Sequence, residues 1–408
     1  MNIRSASKPS PWWRRSCCLL LLGLSLLYGT TNALTTSSRS RSQLVSDLQT
    51  CWTPASVLDK VGRYVTPTTD TDGSLSSLVL IRLSKQLISI DNTDGNGVQK
   101  AALRALEPLE SAERTLSAVT TCLAAANSLS NDAAVEGIKA CSIVARIVPE
   151  LSELAFRPVG DYWGGQSVHQ LASGLEAHHI SGLIWAFEGL RLAKPCGGFL
   201  CPERLQHAYD SLNLPFRIIP GCMRDVKNLS VATLTSQVQF RVDDIRTTSN
   251  RVVKERRQTA WEGNDDVAPF AYSGKAMPRR AWSLVVKATR DELVQRIGQY
   301  YDGCLLNLYP ADEGSGMRYH IDPDQGTLWD YDTTVVSVGA TRRFSFRIFP
   351  GSDSTAQPHT FVVMHGDVTH MFNDCQEHFQ HTVKKADDKK EIAARASLVF
   401  KRTWKYGY

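Results

Sequence analysis

The spacing of hydrophobic residues divides the chain into a helical part and a strand-rich part. From about residue 43 to residue 192, apolar side chains recur every three or four positions, which predicts amphipathic helices. One such series is Leu75, Leu78, Val79, Leu83 and Leu87.

Two similar apolar segments, 77–83 and 182–187, resemble the helical-hairpin repeats of organellar RNA-binding solenoids. A packed helical bundle explains the same periodicity, so both architectures stay open.

The segment 195–198, Pro-Cys-Gly-Gly, interrupts the helical pattern and predicts a domain boundary. Beyond it, β-rich runs are separated by Gly, Pro, Asp and Asn. These runs are 304–309, 335–338, 344–349, 361–364 and 394–402. Thr289 and Glu292 form a capping-box pattern that predicts one helix among them. We therefore expect an α+β protein: an all-helical domain over 47–195, then an antiparallel double-stranded β-helix (jelly-roll) domain over 196–408.

The amino-terminal segment has the composition of a targeting sequence. Arg14 and Arg15 precede an apolar run, and small and polar residues follow up to Ala33, which predicts a signal peptide over 1–33. The acid-free Ser/Thr/Arg stretch that follows, within 34–46, is typical of a transit peptide. We expect a plastid reached through the secretory pathway, with plain secretion as the alternative. The apolar run is short for a transmembrane helix, so no stable membrane partner is expected.

Charge and cysteine usage exclude several classes of protein. Six of the 46 Lys and Arg residues lie within residues 1–46, where Asp and Glu do not occur, so the rest carries 40 basic against 41 acidic residues. This balance argues against a large basic field for sequence-independent nucleic-acid binding. The ten cysteines include no CxxC pair, which argues against a disulfide scaffold.

The candidate chemistry centres on the sequence His320-Ile321-Asp322. On a strand, residues two apart face the same side, so both side chains could bind one metal ion. His381 lies downstream in a strand-like run and can complete a set of two histidines and one carboxylate, which is the facial triad of non-haem Fe(II) oxygenases. A second HxD at 365–367 shows that the pair alone is weak evidence. His378 is the nearest rival to His381, and its separation of three places it on the opposite strand face.

Other polar residues follow the same strand periodicity. Asn307 and Tyr309 share one face of a strand just upstream of the HxD pair. Arg395 shares a face with Ser397, Val399 and Lys401 on the last strand, because all the separations are even. A planar guanidinium can bind the far carboxylate of a dicarboxylic co-substrate through two hydrogen bonds.

Taken together, the motifs resemble the AlkB family of 2-oxoglutarate- and Fe(II)-dependent dioxygenases over about residues 255–402. The matching segments in family order are 257–261 (RQTAW), 270–274 (FAYSG), 306–309 (LNLY), 320–322 (HID), 336–344 (VSVGATRRF), 366–367 (GD), His381 and 395–401 (RASLVFK). The resemblance implies oxidative demethylation of N-alkylated bases in DNA or RNA. It also implies three cofactors or co-substrates: Fe(II), 2-oxoglutarate and O2.

The same resemblance implies metal and co-substrate roles for seven residues. His320, Asp322 and His381 would bind Fe(II). Arg395 with Tyr309 would hold the distal carboxylate of 2-oxoglutarate, and Asn307 would lie near its metal-bound end. The family's last motif ends in a second arginine, where this chain has Lys401, which keeps the charge without the planar fork.

Two aromatic residues are the candidates for substrate contact. Tyr272 matches the position that stacks on the flipped base in nucleic-acid repair members, and Trp261 is the second candidate. The loop 323–334 differs from the repair enzymes and lies where substrate choice could be set. Two alternatives stay open. One is a hydroxylase or demethylase of a protein or small molecule on the same scaffold. The other is a helical RNA- or protein-binding module with an inactive barrel.

Overall fold

A computed structural model describes the chain from residue 43 to residue 404 with gaps. The described residues are 43, 45–48, 51, 53–61, 70, 73–91, 98–125, 129–151, 155–165, 174–193, 201–247, 249–311, 315–349, 355–384 and 393–404. The predicted signal peptide, most of the predicted transit segment and the predicted domain boundary at 195–198 lie outside them. Within these residues, no helix combines the length and the apolar character needed to cross a bilayer.

Eight helices make up the amino-terminal half of the described chain. They are α1 (Pro54–Val61), α2 (Ser74–Asp91), α3 (Val98–Ala105), α4 (Leu109–Ala125), α5 (Asn131–Ile147), α6 (Arg157–Gly165), α7 (Ala177–Leu192) and α8 (Glu203–Asp210). Helix α5 starts at Ser130, whose hydroxyl accepts a hydrogen bond from the Ala133 amide. All residues of α5 from Gly137 to Ile147 are buried, since α2 packs on one side of it and α7 on another. Enclosure of a central helix by its neighbours is typical of a packed bundle.

The remaining elements form the barrel. They are β1 (Phe216–Ile219), α9 (Val231–Gln237), β2 (Asp244–Arg246), β3 (Val252–Lys254), β4 (Gln258–Gly263), β5 (Phe270–Tyr272), β6 (Lys275–Met277), α10 (Leu284–Ile297), β7 (Gly303–Tyr309), β8 (Trp329–Gly339), β9 (Arg342–Ile348), β10 (His359–Val363), β11 (Val368–Met371), α11 (Cys375–His378), β12 (Phe379–Val383) and β13 (Arg395–Thr403). The major sheet has the order β1-β11-β8-β13-β7-β4 and the minor sheet the order β10-β9-β12. The predicted α+β class, with helices followed by a jelly-roll core, is confirmed.

Alternation along the central strands separates the chemistry from the outer core. In β13, Leu398 and Phe400 point outward and pack in a cluster with α10, whereas Arg395, Ser397 and Lys401 occupy the other face. Strand β7 alternates in the same way, with Leu306 and Leu308 in the outer cluster. Strand β13 pairs with β7 on one side and with β8 on the other. The polar residues that these three strands place on the interior face therefore lie side by side.

The start of α10 differs from its prediction. The helix begins after Ser283, whose amide and hydroxyl both donate to the Glu262 carboxylate, at 2.9 and 3.0 Å. Thr289, the predicted cap, lies inside the helix, where its hydroxyl donates to the Val285 carbonyl at 2.7 Å. A cap supplied by a distant strand leaves no local pattern, so the internal Thr-Glu pair was the wrong signal.

The helical half packs directly against the barrel. One continuous apolar core extends from the helices through β1 and β10 into the space between the two sheets. At this contact the ring of His359 lies edge-on to Phe216, with centroids 5.2 Å apart, and its Nδ1 is 2.8 Å from the Ser181 hydroxyl of α7. Burial, with a smaller effect from His178, lowers the pKa of His359 to about 4.

Replacement of His359 by Gln is expected to reduce the loss of stability in mild acid. The unfolded chain carries His359 with its ordinary pKa of 6.5, so between pH 6.5 and about 4 it binds more protons than the native state. Native stability from the neutral ring is therefore complete above pH 6.5 and is lost as the pH falls through this window. We expect the wild-type Tm to fall further than that of His359→Gln between pH 7 and pH 5. The exposed His207→Gln is the control, and parallel Tm curves for wild type and His359→Gln would contradict the assignment.

Candidate active site

The two predicted histidine ligands are backbone partners of each other. The His320 amide donates to the His381 carbonyl at 3.0 Å, and the His381 amide donates to the His320 carbonyl at 2.9 Å. This is an isolated antiparallel bridge, so the expected strand at 320–322 is absent from this described segment. Asp322 instead lies just past the bridge, where its amide donates to the Gln376 side chain at 3.0 Å. The pair converges through the bridge and this buried glutamine rather than through strand periodicity.

The side chains of the three residues face one point. Asp322 Oδ1 lies 3.8 Å from His320 Nε2 and 3.7 Å from His381 Nε2, and all the ligand atoms are within 4.8 Å of one another. His320 Nδ1 is 2.9 Å from the Arg318 carbonyl, which can only accept, so this nitrogen carries the proton and Nε2 keeps its lone pair. A neutral imidazole fixed in this tautomer is the form that binds a metal ion.

The electrostatics of the three residues favour a cation. Burial lowers the pKa of His320, and it lowers the pKa of His381 to about 3, so both rings are neutral at physiological pH. Burial acts to raise the pKa of Asp322, but the charge of Lys401 outweighs it and, with the two histidines once they are protonated at low pH, holds that pKa well below its usual range. Two neutral imidazoles and one carboxylate form the donor set of a facial-triad Fe(II) site, so these residues fit the metal.

Arg395 is a fully buried guanidinium without an ion pair among the described residues. Its Nη2 donates to the Ser337 and Ser397 hydroxyls at 3.0 and 3.4 Å, its Nη1 reaches the Ala340 carbonyl at 3.5 Å, and its Nε has no hydrogen-bond partner in the described structure. Burial lowers the pKa of Arg395 to about 10, which leaves it charged at neutral pH. A buried cation bonded only to neutral oxygens is suited to an incoming carboxylate.

Tyr309 and Asn307 lie where the predicted co-substrate would pass. Tyr309 is paired in register with Arg395, and Asn307 with Ser397, across neighbouring strands. Asn307 is buried, and its Oδ1 is another buried polar atom without a partner among the described residues. Unsatisfied polar atoms on both sides of this interior face are the pattern that a polar ligand completes. The residues present therefore also fit 2-oxoglutarate.

Lys401 lies at the metal end of this face. Its Nζ donates to Asp322 Oδ2 at 2.8 Å and to the Thr333 hydroxyl at 3.3 Å, and the side chain is fully buried. The structure thus places Lys401 beside the ligand carboxylate, six residues along β13 from Arg395. A single ammonium is sufficient there, because one carboxylate oxygen is left for the metal.

Tyr272 lies in a cage of charged side chains. Its hydroxyl donates to Glu255, with oxygen–oxygen distances of 2.9 and 3.1 Å, and Lys275 Nζ lies 4.6 Å from the ring centre. Arg257 lies 5.4 Å from the same ring and also contacts Met317, the residue whose amide donates to β12 near His381. Sequence reasoning missed the cage. The only signal was that Arg257 begins one matched motif, while Glu255 and Lys275 flank the two motifs.

Trp261 is buried in the core, which corrects its predicted contact with substrate. The side chain is 1% exposed, its Nε1 donates to the Ala268 carbonyl at 2.9 Å, and its ring packs against Phe270 and Trp329. Its neighbours in β4, Ala260 and Glu262, have their own outer-face contacts, so the strand direction turns Trp261 into the core. Trp261 supports the site from behind.

Two further clusters resemble metal sites and are explained by other bonds. In the second HxD, the buried Asp367 accepts hydrogen bonds from Arg146 and from the amides of Gly221 and Met364, which leaves no free lone pair for a metal. In the helical part, Asp132, His178 and His179 lie close together. His179 Nδ1 accepts from the Glu176 amide, so its Nε2 carries the proton and donates to Asp132 at 2.8 Å. This is a helix cap rather than a ligand set.

Comparison with known proteins agrees with this geometry. Residues 216–401 match the family model of the 2OG-Fe(II) oxygenase superfamily. Over the region from β1 to β13 the chain therefore resembles a 2OG-Fe(II) oxygenase domain. This superfamily consists of dioxygenases, for which the match implies Fe(II), 2-oxoglutarate and O2. The AlkB-like resemblance of the sequence motifs is confirmed at the level of this superfamily.

Two individual proteins are similar to parts of the chain. Uncharacterized protein R406 of Acanthamoeba polyphaga mimivirus is 27% identical over 156 residues, which cover 38% of this chain and 78% of that protein. The solved structure of OsALKBH1 has a TM-score of 0.31 and 16% identity, covering 47% of this chain and 97% of that one.

Replacement of His381 by Ala is expected to weaken Co(II) binding at least about 100-fold, because loss of a partner outside the ligand sphere alone typically costs 10–100-fold. Binding is measured by the visible absorption of Co(II) added to the purified protein. His378→Ala is the matched control, since His378 lies three residues away, is exposed and pairs with Asp374 at 3.2 Å. Equal Co(II) affinity in the two variants would remove His381 from the ligand set.

Proposed function

We propose that the protein is an Fe(II)/2-oxoglutarate-dependent demethylase of N-alkylated bases in DNA or RNA. The observation that carries this proposal is the connection from the Tyr272 ring through Arg257 to His320. An aromatic ring at the edge of an oxidising site can stack on a base that has left its helix. Arg257 connects the two parts, because its charge acts on His320 and its guanidinium lies by the Tyr272 ring.

A basic hairpin next to Tyr272 supports a polyanionic substrate. Strands β2 and β3 form the hairpin, and the Arg246 amide of β2 donates to the carbonyl of Ser273 at 2.8 Å. Arg246, Arg251 and Lys254 are exposed on this hairpin. Local basic groups of this kind can position a phosphate backbone although the chain has no net basic field. Val252 is 61% exposed on the same hairpin, which gives a base or sugar an apolar surface.

The residues of the site have separate tasks in this reaction. Bound Fe(II), with 2-oxoglutarate and O2, would supply the oxidation that converts the co-substrate to succinate and CO2 and releases the methyl group as formaldehyde. His320, Asp322 and His381 would hold the metal on one side and leave the other side open. Arg395 would bind the distal carboxylate, and Lys401 keeps Asp322 ionised and oriented. The buried interior face excludes water from the reacting groups.

A protein or small-molecule substrate on the same scaffold is the alternative that the charge balance favours, because residues after 46 carry nearly equal numbers of acids and bases. An inactive barrel beneath a helical binding module has less support. A degenerate site has no need of three converging ligand side chains or of a buried, unpaired guanidinium.

Purified protein with Fe(II) and 2-oxoglutarate is expected to release succinate and formaldehyde faster when given oligonucleotides that contain 1-methyladenine or 3-methylcytosine. Unmethylated oligonucleotides of the same sequence are the substrate control. Tyr272→Ala is expected to lose most of this stimulation while still binding Co(II). Tyr300→Ala, a change at an exposed tyrosine that accepts a hydrogen bond from Asn264, is the matched control.

The remaining outcomes of this assay separate the alternatives. Stimulation by methylated peptides but not by oligonucleotides would replace the nucleic-acid proposal with the protein alternative. Absence of succinate with every substrate, in protein that binds Co(II), would favour the inactive barrel.

We propose that residues 1–46 direct the protein to a plastid through the secretory pathway. The support is the order of charged, apolar and small residues, followed by an acid-free stretch. A fusion of residues 1–60 to a fluorescent protein is expected to accumulate in plastids. Secretion of the fusion into the medium would support the plain signal-peptide alternative and contradict the plastid proposal.

A further inference from the structure

A buried ion pair joins the helical half to the barrel. Arg146 of α5 donates to both carboxylate oxygens of Asp367, through Nη2 to Oδ1 and through Nη1 to Oδ2 at 3.2 Å. The amides of Gly221 and Met364 also donate to this carboxylate, at 2.7 and 2.8 Å. The two side chains are 6% and 0% exposed. Asp367 therefore accepts four hydrogen bonds from three residues, and Arg146, which donates two of them, is the one that carries a charge.

Helix α7 leaves room for this contact. Lys139 and Arg146 are seven residues apart on α5, and each reaches the barrel, Lys139 by donating to the Thr360 carbonyl at 2.9 Å. Two glycines of α7, also seven apart, lie against their stems. A Cβ at Gly182 would be 3.3 Å from Lys139 Cδ. A Cβ at Gly189 would clash first with Ser142 Oγ and would be 3.0 Å from Arg146 Cδ. The matched spacing on the two helices thus places a glycine of α7 against the stem of each basic side chain.

The loop that contains Gly366 and Asp367 is hydrogen-bonded to Ser337 of β8, which in turn binds Arg395. The Ser337 amide donates to the Asp367 carbonyl at 2.9 Å, and the Gly366 amide donates to the Ser337 carbonyl at 2.8 Å. The Ser337 hydroxyl accepts from Arg395 Nη2 at 3.0 Å. Gly366 has a φ of 80°, and a Cβ there would lie 2.5 Å from the Arg224 backbone, so this position requires glycine. Ser337 therefore contacts both the backbone of Asp367 and the guanidinium of Arg395.

The charge of Asp367 is felt at Arg395, where it acts to raise the pKa against the larger effect of burial. Without a counter-ion, a buried carboxylate at this position would attract Arg395 and repel an incoming dicarboxylate. Arg146 supplies that counter-ion from the helical half. We propose that Arg146 is a positioning residue for the co-substrate site, which neutralises Asp367 and so keeps Arg395 available for the distal carboxylate of 2-oxoglutarate.

The proposal rests on the 2-oxoglutarate oxygenase assignment and is tested by binding rather than by turnover. 2-Oxoglutarate is titrated calorimetrically into the full-length protein loaded with Mn(II). Arg146→Met is expected to raise the Kd for 2-oxoglutarate about 10-fold, a usual size for coupling between separate sites. Lys139→Met is the matched control, since it removes the other basic side chain that links α5 to the barrel, and its Kd is expected to equal that of wild type. Arg395→Met removes the guanidinium that would bind the distal carboxylate, so its Kd gives the effect of losing that contact completely.

The direction in which a second variant changes the Kd for 2-oxoglutarate separates this electrostatic role from a structural one. Asp367→Asn leaves the charge of Arg146 in place, so it is expected to bind 2-oxoglutarate at least as tightly as wild type. The double variant Arg146→Met/Asp367→Asn is expected to recover affinity close to wild type. Weaker binding in Asp367→Asn, or no recovery in the double variant, would overturn the proposal. If Arg146→Met does not fold, the Asp367→Asn result decides by the same criterion.

Failure of the proposal and failure of the assignment give different results. Wild-type protein that binds Mn(II) but not 2-oxoglutarate would overturn the co-substrate assignment itself. Wild-type binding with an unchanged Kd in Arg146→Met would overturn only the role of Arg146.

Discussion

The architecture of the barrel depends on one buried positive charge. Removal of an ion from water costs several kcal/mol even after relaxation, so a fully buried guanidinium without a carboxylate needs a specific reason. The fold accepts this cost at Arg395 because β13 lies in the middle of the major sheet, between Tyr309 on β7 and Gly339 on β8. Hydroxyls and a carbonyl hold the charge in place without neutralising it. The metal residues and the residues that would bind the co-substrate are arranged around this unpaired charge.

Strand periodicity made much of the site predictable. The face shared by Arg395, Ser397 and Lys401, and the pair Asn307 and Tyr309, follow from alternation along two strands, and the structure places both sets on the interior face. The same argument failed for His320 and Asp322, although the three ligand side chains do converge. Their convergence depends on a bridge between backbones sixty residues apart, and long-range pairing of this kind has no local pattern in a sequence.

Contacts between distant segments account for the other differences. The cap of α10 is Glu262 on β4, the cage of Tyr272 is formed by residues on two separate segments, and the direction of Trp261 depends on the register of β4. Composition and spacing describe neighbours along the chain, whereas these features depend on which strand lies beside which. The helical half illustrates the same limit, because its periodicity suited a solenoid as well as the bundle that encloses α5.

The paired seven-residue spacings of α5 and α7 limit where residues can be inserted into or deleted from this protein. A helix turns about 100° per residue, so a single insertion between Lys139 and Arg146 would rotate the second side chain away from the barrel while the first stayed in place. An insertion between Gly182 and Gly189 would move a Cβ-bearing residue against one of the two stems in the same way. These two turns of α5 and α7 therefore have to keep a common residue count.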